Sequence, residues 1–78
     1  MKDVRFTEAA HKQLRSLSEA SRITVKIRRY AETGEGDVVA LRGSPGFRIR
    51  IGNYRAIFTE TGTEILVHAV GHRRKIYD

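Results

Sequence analysis

The chain has 78 residues, with 15 Lys and Arg against 9 Asp and Glu, a formal net charge of +6 at neutral pH. This length holds one small domain over residues 1–78 with a thin core, and it excludes a dinucleotide-binding domain or a barrel enzyme. The absence of cysteine removes disulfide frameworks, thiolate zinc sites, iron–sulfur clusters and cysteine nucleophiles together. No segment has the apolar stretch of a secretory leader or the roughly 18 apolar residues of a membrane span, so a cytoplasmic protein with no membrane partner is expected. The basic excess divides evenly, with nine cations and six anions over residues 1–46 and six and three over residues 47–78. It belongs to the patterned segments rather than to a tail, and nucleic acid is the first partner class to weigh.

Val4 and Phe6 alternate with Asp3 and Arg5, which predicts a short first strand, and Thr7 offers a hydroxyl to cap a helix beginning at Glu8. Phe6, Ala10, Leu14 and Leu17 recur at helical spacing. From Glu19 to Tyr30 the pattern is double. Ile23, Val25 and Ile27 alternate as in a strand, while Ala20, Ile23, Ile27 and Tyr30 line one face of a helix. We read helix, with Gly34 at its C-cap and Arg22, Lys26 and Arg29 sharing an outer face, read first as a solvated one. The LRGSPG stretch at 41–46 is short enough to be a loop within one domain.

Phe47 to Ile51 alternates strictly, Gly52-Asn53 is a two-residue hairpin signal, and Tyr54 to Thr59 alternates again. That turn sets Ile51 against Tyr54, Arg50 against Arg55, Ile49 against Ala56, Arg48 against Ile57 and Phe47 against Phe58. A second turn centred on Thr61-Gly62 leads into Glu64 to Val70 and is expected to place Ile65 beside Phe58, Val67 beside Ala56 and His68 beside Arg55. One face then carries Phe47, Ile49, Ile51, Tyr54, Ala56, Phe58, Ile65, Val67 and Ala69 toward the helices. The opposite face carries Arg48, Arg50, Arg55 and His68.

Like charges directly opposite one another on neighbouring strands destabilise a sheet, so Arg50 against Arg55 points to an anionic ligand. Guanidinium groups match phosphate oxygens bidentately, and converging arginines form a phosphate cradle. The plainer reading lays the arginine stems over Ile57 and Leu66 with their heads in water. The terminal GHRRKIYD adds Arg73, Arg74, Lys75 and Tyr77, cations to hold a backbone and an aromatic to stack a base. Carboxylates are scattered without metal-site spacing, there is no phosphate loop, and Ser44 has no acid or base pattern around it, so no metal or cofactor is called for. RNA supplies its own nucleophile in the 2′-OH, and a metal-free RNase then needs a proton acceptor, cations for the phosphorane-like transition state and an acid. His68 and His72 are the imidazoles available for that proton exchange.

The layout, with the strings LRGSPGFRIRIGNYRAIF and VHAVGHRRKIY, resembles the RelE/ParE superfamily of bacterial toxins from type II toxin–antitoxin modules over nearly the whole chain. The most specific parts are Gly52-Asn53-Tyr54-Arg55 and the terminal VGHRR-IY. The resemblance implies an α+β fold, two N-terminal helices packed on a small antiparallel sheet of about four strands, and a cognate antitoxin protein as partner. It also implies one of two activities: RelE-like members cut mRNA in the ribosomal A site by 2′-OH attack, whereas ParE-like members inhibit DNA gyrase. Carried over by position, the basic pair before the turn falls on Arg48 and Arg50, the arginine after it on Arg55, the post-strand arginine on Arg73 and the functional tyrosine on Tyr77. His72, Arg74 and Lys75 join these as substrate-binding residues. The RelE pattern commonly has lysines at the first pair, one of them a candidate general base; an arginine, with a pKa above about 12, is a poor proton acceptor. The expected function is a ribosome-dependent mRNA endoribonuclease, with a gyrase inhibitor or a non-catalytic nucleic-acid-binding module as the alternatives.

Overall fold

The computed structural model describes residues 1–76 of the chain. Its elements in order are β1 (Asp3–Phe6), α1 (Glu8–Arg15), α2 (Ala20–Thr33), β2 (Asp37–Ala40), β3 (Phe47–Ile51), β4 (Tyr54–Glu60) and β5 (Glu64–His72). The Thr7 hydroxyl accepts the Ala10 N–H at 3.1 Å and starts α1, whose Lys12 and Arg15 lie in the last turn, where the helix dipole favours cations. At the end of α2, Gly34 takes φ 77° and its N–H donates to the Tyr30 carbonyl at 2.8 Å, as expected of a glycine cap. Within α2, Ile23 and Ile27 are buried while Val25 is 62% exposed. Residues two apart share a strand face but lie on opposite sides of a helix, so this burial pattern resolves the double reading as helix.

The fold is α+β as expected, but its sheet has five strands in the order β1-β5-β4-β3-β2 rather than about four. It is also mixed: β1 runs parallel to β5, and the other neighbours are antiparallel. The unanticipated β2, DVVA, carries too few apolar residues to signal a strand alone and exists through its pairing with β3. The direction of β1 has no local turn to set it, because its partner is some 60 residues away in sequence; what matters is that Val4 and Phe6 pair with Ile65 and Val67.

The β3–β4 hairpin has the expected register throughout, including Arg50 opposite Arg55. Gly52 adopts φ 58° and Asn53 does not go positive, the pattern of a type II′ turn. The β4–β5 hairpin departs from expectation. Thr61 N–H donates to the Glu64 carbonyl at 2.9 Å, so the turn is Gly62-Thr63 and Phe58 pairs with Val67 rather than Ile65. A bulge comes next: Ile57 pairs with Ala69, His68 is left over, and Ala56 and Arg55 pair with Val70 and Gly71. Val70 thereby replaces Ala69 in the core, and Gly71 takes the place beside Arg55 expected for His68. Burying a valine in place of an alanine removes more apolar surface from water, which favours this register.

Both helices lie on one face of the sheet, α1 against β5 and α2 against β1 and β3. Ala10, Leu14, Ile23, Ile27 and Ala31 meet Ile49, Ile51, Ala56, Phe58, Ile65, Val67 and Val70 in one buried cluster. The Phe58 ring lies 5.6 Å from that of Phe47 and 5.5 Å from that of Tyr30. At the rim, Glu60 accepts from Lys2 Nζ at 2.7 Å and from the Tyr30 hydroxyl at 2.8 Å, tying the N-terminus, α2 and β4 together. The Lys2 hydrogen bond holds the Glu60 carboxyl below its ordinary range against the opposing effect of burial. Burial, reinforced by Glu60, pushes the Tyr30 phenol up to about 12.

The sign of each effect depends on which state holds its proton more tightly. The lowered Glu60 pKa stabilises the fold above the ordinary glutamate range, and that stability is lost as the pH falls through the folded value. The raised Tyr30 pKa stabilises it below 10, and that stability is lost as the pH rises toward about 12. Urea unfolding monitored by circular dichroism should show the parent losing stability on acidification. Glu60→Gln should begin about 1 kcal/mol less stable at neutral pH and have a flatter acid limb.

Candidate nucleic-acid interface

Alternation along β3 and β4 sends Arg48, Arg50 and Arg55 to the sheet face away from the helices, with Ile57 and Thr59 beside them. Directly opposed residues have Cα atoms about 5 Å apart, and residues two apart on one strand, or diagonal across the pair, are about 7–8 Å apart. The backbone thus holds all three arginines within about 8 Å of one another, close enough for their long side chains to converge on one phosphate. Arg50 is exposed, whereas Arg48 and Arg55 are half-buried. The Nε of Arg55 is buried with no hydrogen-bond partner among the described residues, an omission that costs roughly 1–3 kcal/mol. The ion pairs among the described residues involve neither Arg50 nor Arg55. This face therefore accepts like-charge opposition and an unmet donor without an internal counterion for that pair, a combination typical of a surface built for an external anion.

The segment after β5 is clipped to the hairpin turn. Arg73 N–H donates to the Asn53 carbonyl at 2.8 Å and Lys75 N–H to the His72 carbonyl at 2.8 Å. Ile76 then returns over Gly71: a Cβ at Gly71 would stand 3.0 Å from Ile76 Cγ1 and 3.1 Å from Cδ1. Because Gly71 is the cross-strand partner of Arg55, the returning chain reaches the arginine face beside that residue. Arg73, Arg74 and Lys75 are exposed on the turn between, at the same end of the sheet as Arg50 and Arg55.

Two histidines stand elsewhere. His72 pairs with Tyr54 on the helix side, ring to ring at 5.8 Å and edge-on, and its Nδ1 accepts the Arg74 N–H at 3.3 Å, so it shapes the turn from behind. His68 Nε2 lies 2.9 Å from Thr59 Oγ1. Thr59 is four residues along β4 from Arg55, roughly 13 Å, so His68 does not share a ligand atom with Arg55 as its expected position implied. Tyr77 lies outside the described residues. Among the described residues, no three His, Asp or Glu side chains converge to hold a metal ion. Sequence reasoning missed Gly71, although a glycine inside a strand pattern is the ordinary signal of close approach by another chain segment.

The sequence matches the family model described as "ParE toxin of type II toxin-antitoxin system, parDE" over residues 4–77. Among solved structures, the chain is similar to the RelB-RelE antitoxin-toxin complex from Methanococcus jannaschii, with 28% identity, a TM-score of 0.74 and 94% of each chain covered. It shares its fold with the RelE-RelB complex from Pyrococcus horikoshii OT3, at 21% identity and a TM-score of 0.77, over 96% of this chain and 98% of that one. The RelBE2 toxin-antitoxin complex from Mycobacterium tuberculosis is similar at 25% identity and a TM-score of 0.64, over 92% and 91% of the two chains. No curated protein sequence matches significantly.

The seat of Ile76 on Gly71 yields a direct test. Gly71→Val should displace Ile76 and release the turn behind it, lowering the hydrogen-exchange protection of the Arg73 amide about tenfold or more while β4 and the helices stay protected. Gly71→Ala should show a smaller effect in the same direction.

Proposed function

This chain belongs to the ParE toxin family of type II toxin–antitoxin systems, and on that premise we propose that it is a RelE-type toxin, an endoribonuclease that cuts mRNA in the ribosomal A site. The observation that carries the reading is the arginine face, where Arg50 opposes Arg55 directly and Arg48 stands beside them on β3. A toxin acting only through protein contacts has no need of such opposition, whereas an RNA phosphate relieves it.

In this reading the 2′-OH of the scissile nucleotide attacks the adjacent phosphorus, and the bond to the leaving 5′-oxygen breaks. Negative charge gathers on the non-bridging oxygens as the five-coordinate state forms. Arg48, Arg50 and Arg55 hold those oxygens and stabilise that charge, the form of catalysis in which preorganised cations act most strongly. They act on charge and not as bases, because a guanidinium does not accept a proton at neutral pH. Arg73, with Arg74 and Lys75, holds flanking phosphates from the turn clipped to Asn53, and Tyr77 stacks on a codon base. His72 braces that turn through Arg74. A cognate antitoxin keeps the toxin inactive in the cell, a partner supported by the similarity to toxins solved as complexes with RelB.

Primer extension on a defined mRNA in stalled ribosomes with an empty A site tests the reading. The expected outcome is cleavage within the A-site codon, reduced at least about 100-fold by Arg55→Ala. Arg48→Lys should retain part of the activity, since a point cation replaces a bidentate one. An intact message at toxic concentrations overturns the reading and directs the search to DNA gyrase.

A further inference from the structure

The outer face of α2 plays no part in the site above. Arg22, Lys26 and Arg29 are exposed there, and with Arg50 and Gly52 they wall a cleft of about 330 Å3 between α2 and the end of β3. Arg22 and Lys26 are four residues apart, a spacing at which like charges destabilise a helix. This repeats on the helix the opposition that Arg50 and Arg55 show on the sheet. Arg22 also reaches across to the hairpin turn, its two terminal nitrogens 3.2 and 3.4 Å from where a Cβ on Gly52 would stand. Gly52 therefore both makes the turn, at φ 58°, and leaves room for the guanidinium.

Two carboxylates also line the cleft. Glu35 pairs with Arg29 at 2.9 Å, and Asp37 lies on β2 opposite Arg50. Outside the cleft lining, Glu19 pairs with Arg22 at 3.0 Å. Lys26 has no ion pair among the described residues. Negative charge is thus gathered on the β2 side, while the Arg22, Lys26 and Gly52 side remains cationic. Arg50 belongs both to this lining and to the arginine pair, so the two regions meet at that residue.

We infer that this cleft is a second phosphate subsite, where Arg22 and Lys26 hold the backbone of the same RNA strand whose reacting phosphate lies on the arginine face, with Arg50 at the junction. The inference rests on the RNA-cleaving reading above. Glu35 and Asp37 repel the backbone from the β2 side and confine its path to the hairpin turn.

The test measures binding of fluorescent oligouridylates to the full chain. An oligomer of about four nucleotides spans the arginine face, and one of about twelve reaches the cleft. The double variant Arg22→Ala, Lys26→Ala should bind the long oligomer about tenfold more weakly and the short one as the parent does. Its log affinity against log salt should flatten by about 1.4 for the long oligomer, since each single-strand phosphate contact contributes about 0.7. Glu35→Gln should strengthen binding of the long oligomer, a gain that a misfolded chain does not produce.

Equal loss on both lengths, or loss on neither, overturns the subsite. So does an absence of measurable binding by the parent chain at low salt. Arg55→Ala separates the two readings. If it leaves both oligomers unaffected while Arg22→Ala, Lys26→Ala weakens the long one, the arginine face fails as the place of the reacting phosphate and the cleft stands as an RNA site. If Arg55→Ala weakens both and the cleft variant weakens neither, the cleft alone fails.

Discussion

Between Val67 and Ala69 the backbone of β5 admits one residue more than β4 can pair, and every side chain beyond that point changes face. Val70 turns into the core against the helices. Gly71 turns to the arginine face, where the absence of a side chain lets Ile76 settle beside Arg55. His72 turns inward against Tyr54 and carries the next turn on its ring nitrogen and carbonyl. Without the extra residue, Ala69 would lie in the core, Val70 and His72 would join the arginines, and Gly71 would leave a gap on the core side instead of a seat for the tail. The core packing and the arrangement of the candidate site thus depend on one irregularity.

The arginine face sets local stability against ligand readiness. Arg50 opposes Arg55, and Arg55 keeps a buried Nε without a hydrogen-bond partner among the described residues. Each feature weakens the isolated fold by an amount that matters in a domain whose whole stability is of order 5–15 kcal/mol. The compensating interactions lie elsewhere. Phe58 packs between Tyr30 and Phe47, and Glu60 gathers Lys2 and Tyr30 at the sheet rim. Stability concentrated on the helix side leaves the opposite face able to hold cations close together, which is what stabilisation of a developing phosphate charge requires.

The β3–β4 turn connects these regions. Gly52 shapes the turn and receives the Arg22 guanidinium from α2, while the Asn53 carbonyl receives the Arg73 N–H from the tail. Helix, sheet and tail therefore meet within two residues. On the reading proposed above, an RNA strand crossing this corner meets cations from all three.

The order of residues was enough to specify the two helices, the core stripe of Ile23 and Ile27, the turn at Gly52-Asn53 and the Arg50 to Arg55 pairing. Each of these rests on contacts local in the chain: helical periodicity, a glycine cap, or a two-residue turn that sets the pairing on both sides of it. The resemblance of its motifs also led to the right family. Long-range packing was needed for the parallel seat of β1, the existence of β2, the shift of the second turn to Gly62-Thr63 and the bulge at His68. Those features depend on which residues the helices cover: two turn positions one residue apart have nearly equal local cost, and burial of Val70 rather than Ala69 selects between registers only once α1 lies on β5. The seat of Ile76 on Gly71 belongs to the same class, because a glycine marks a space without naming what fills it.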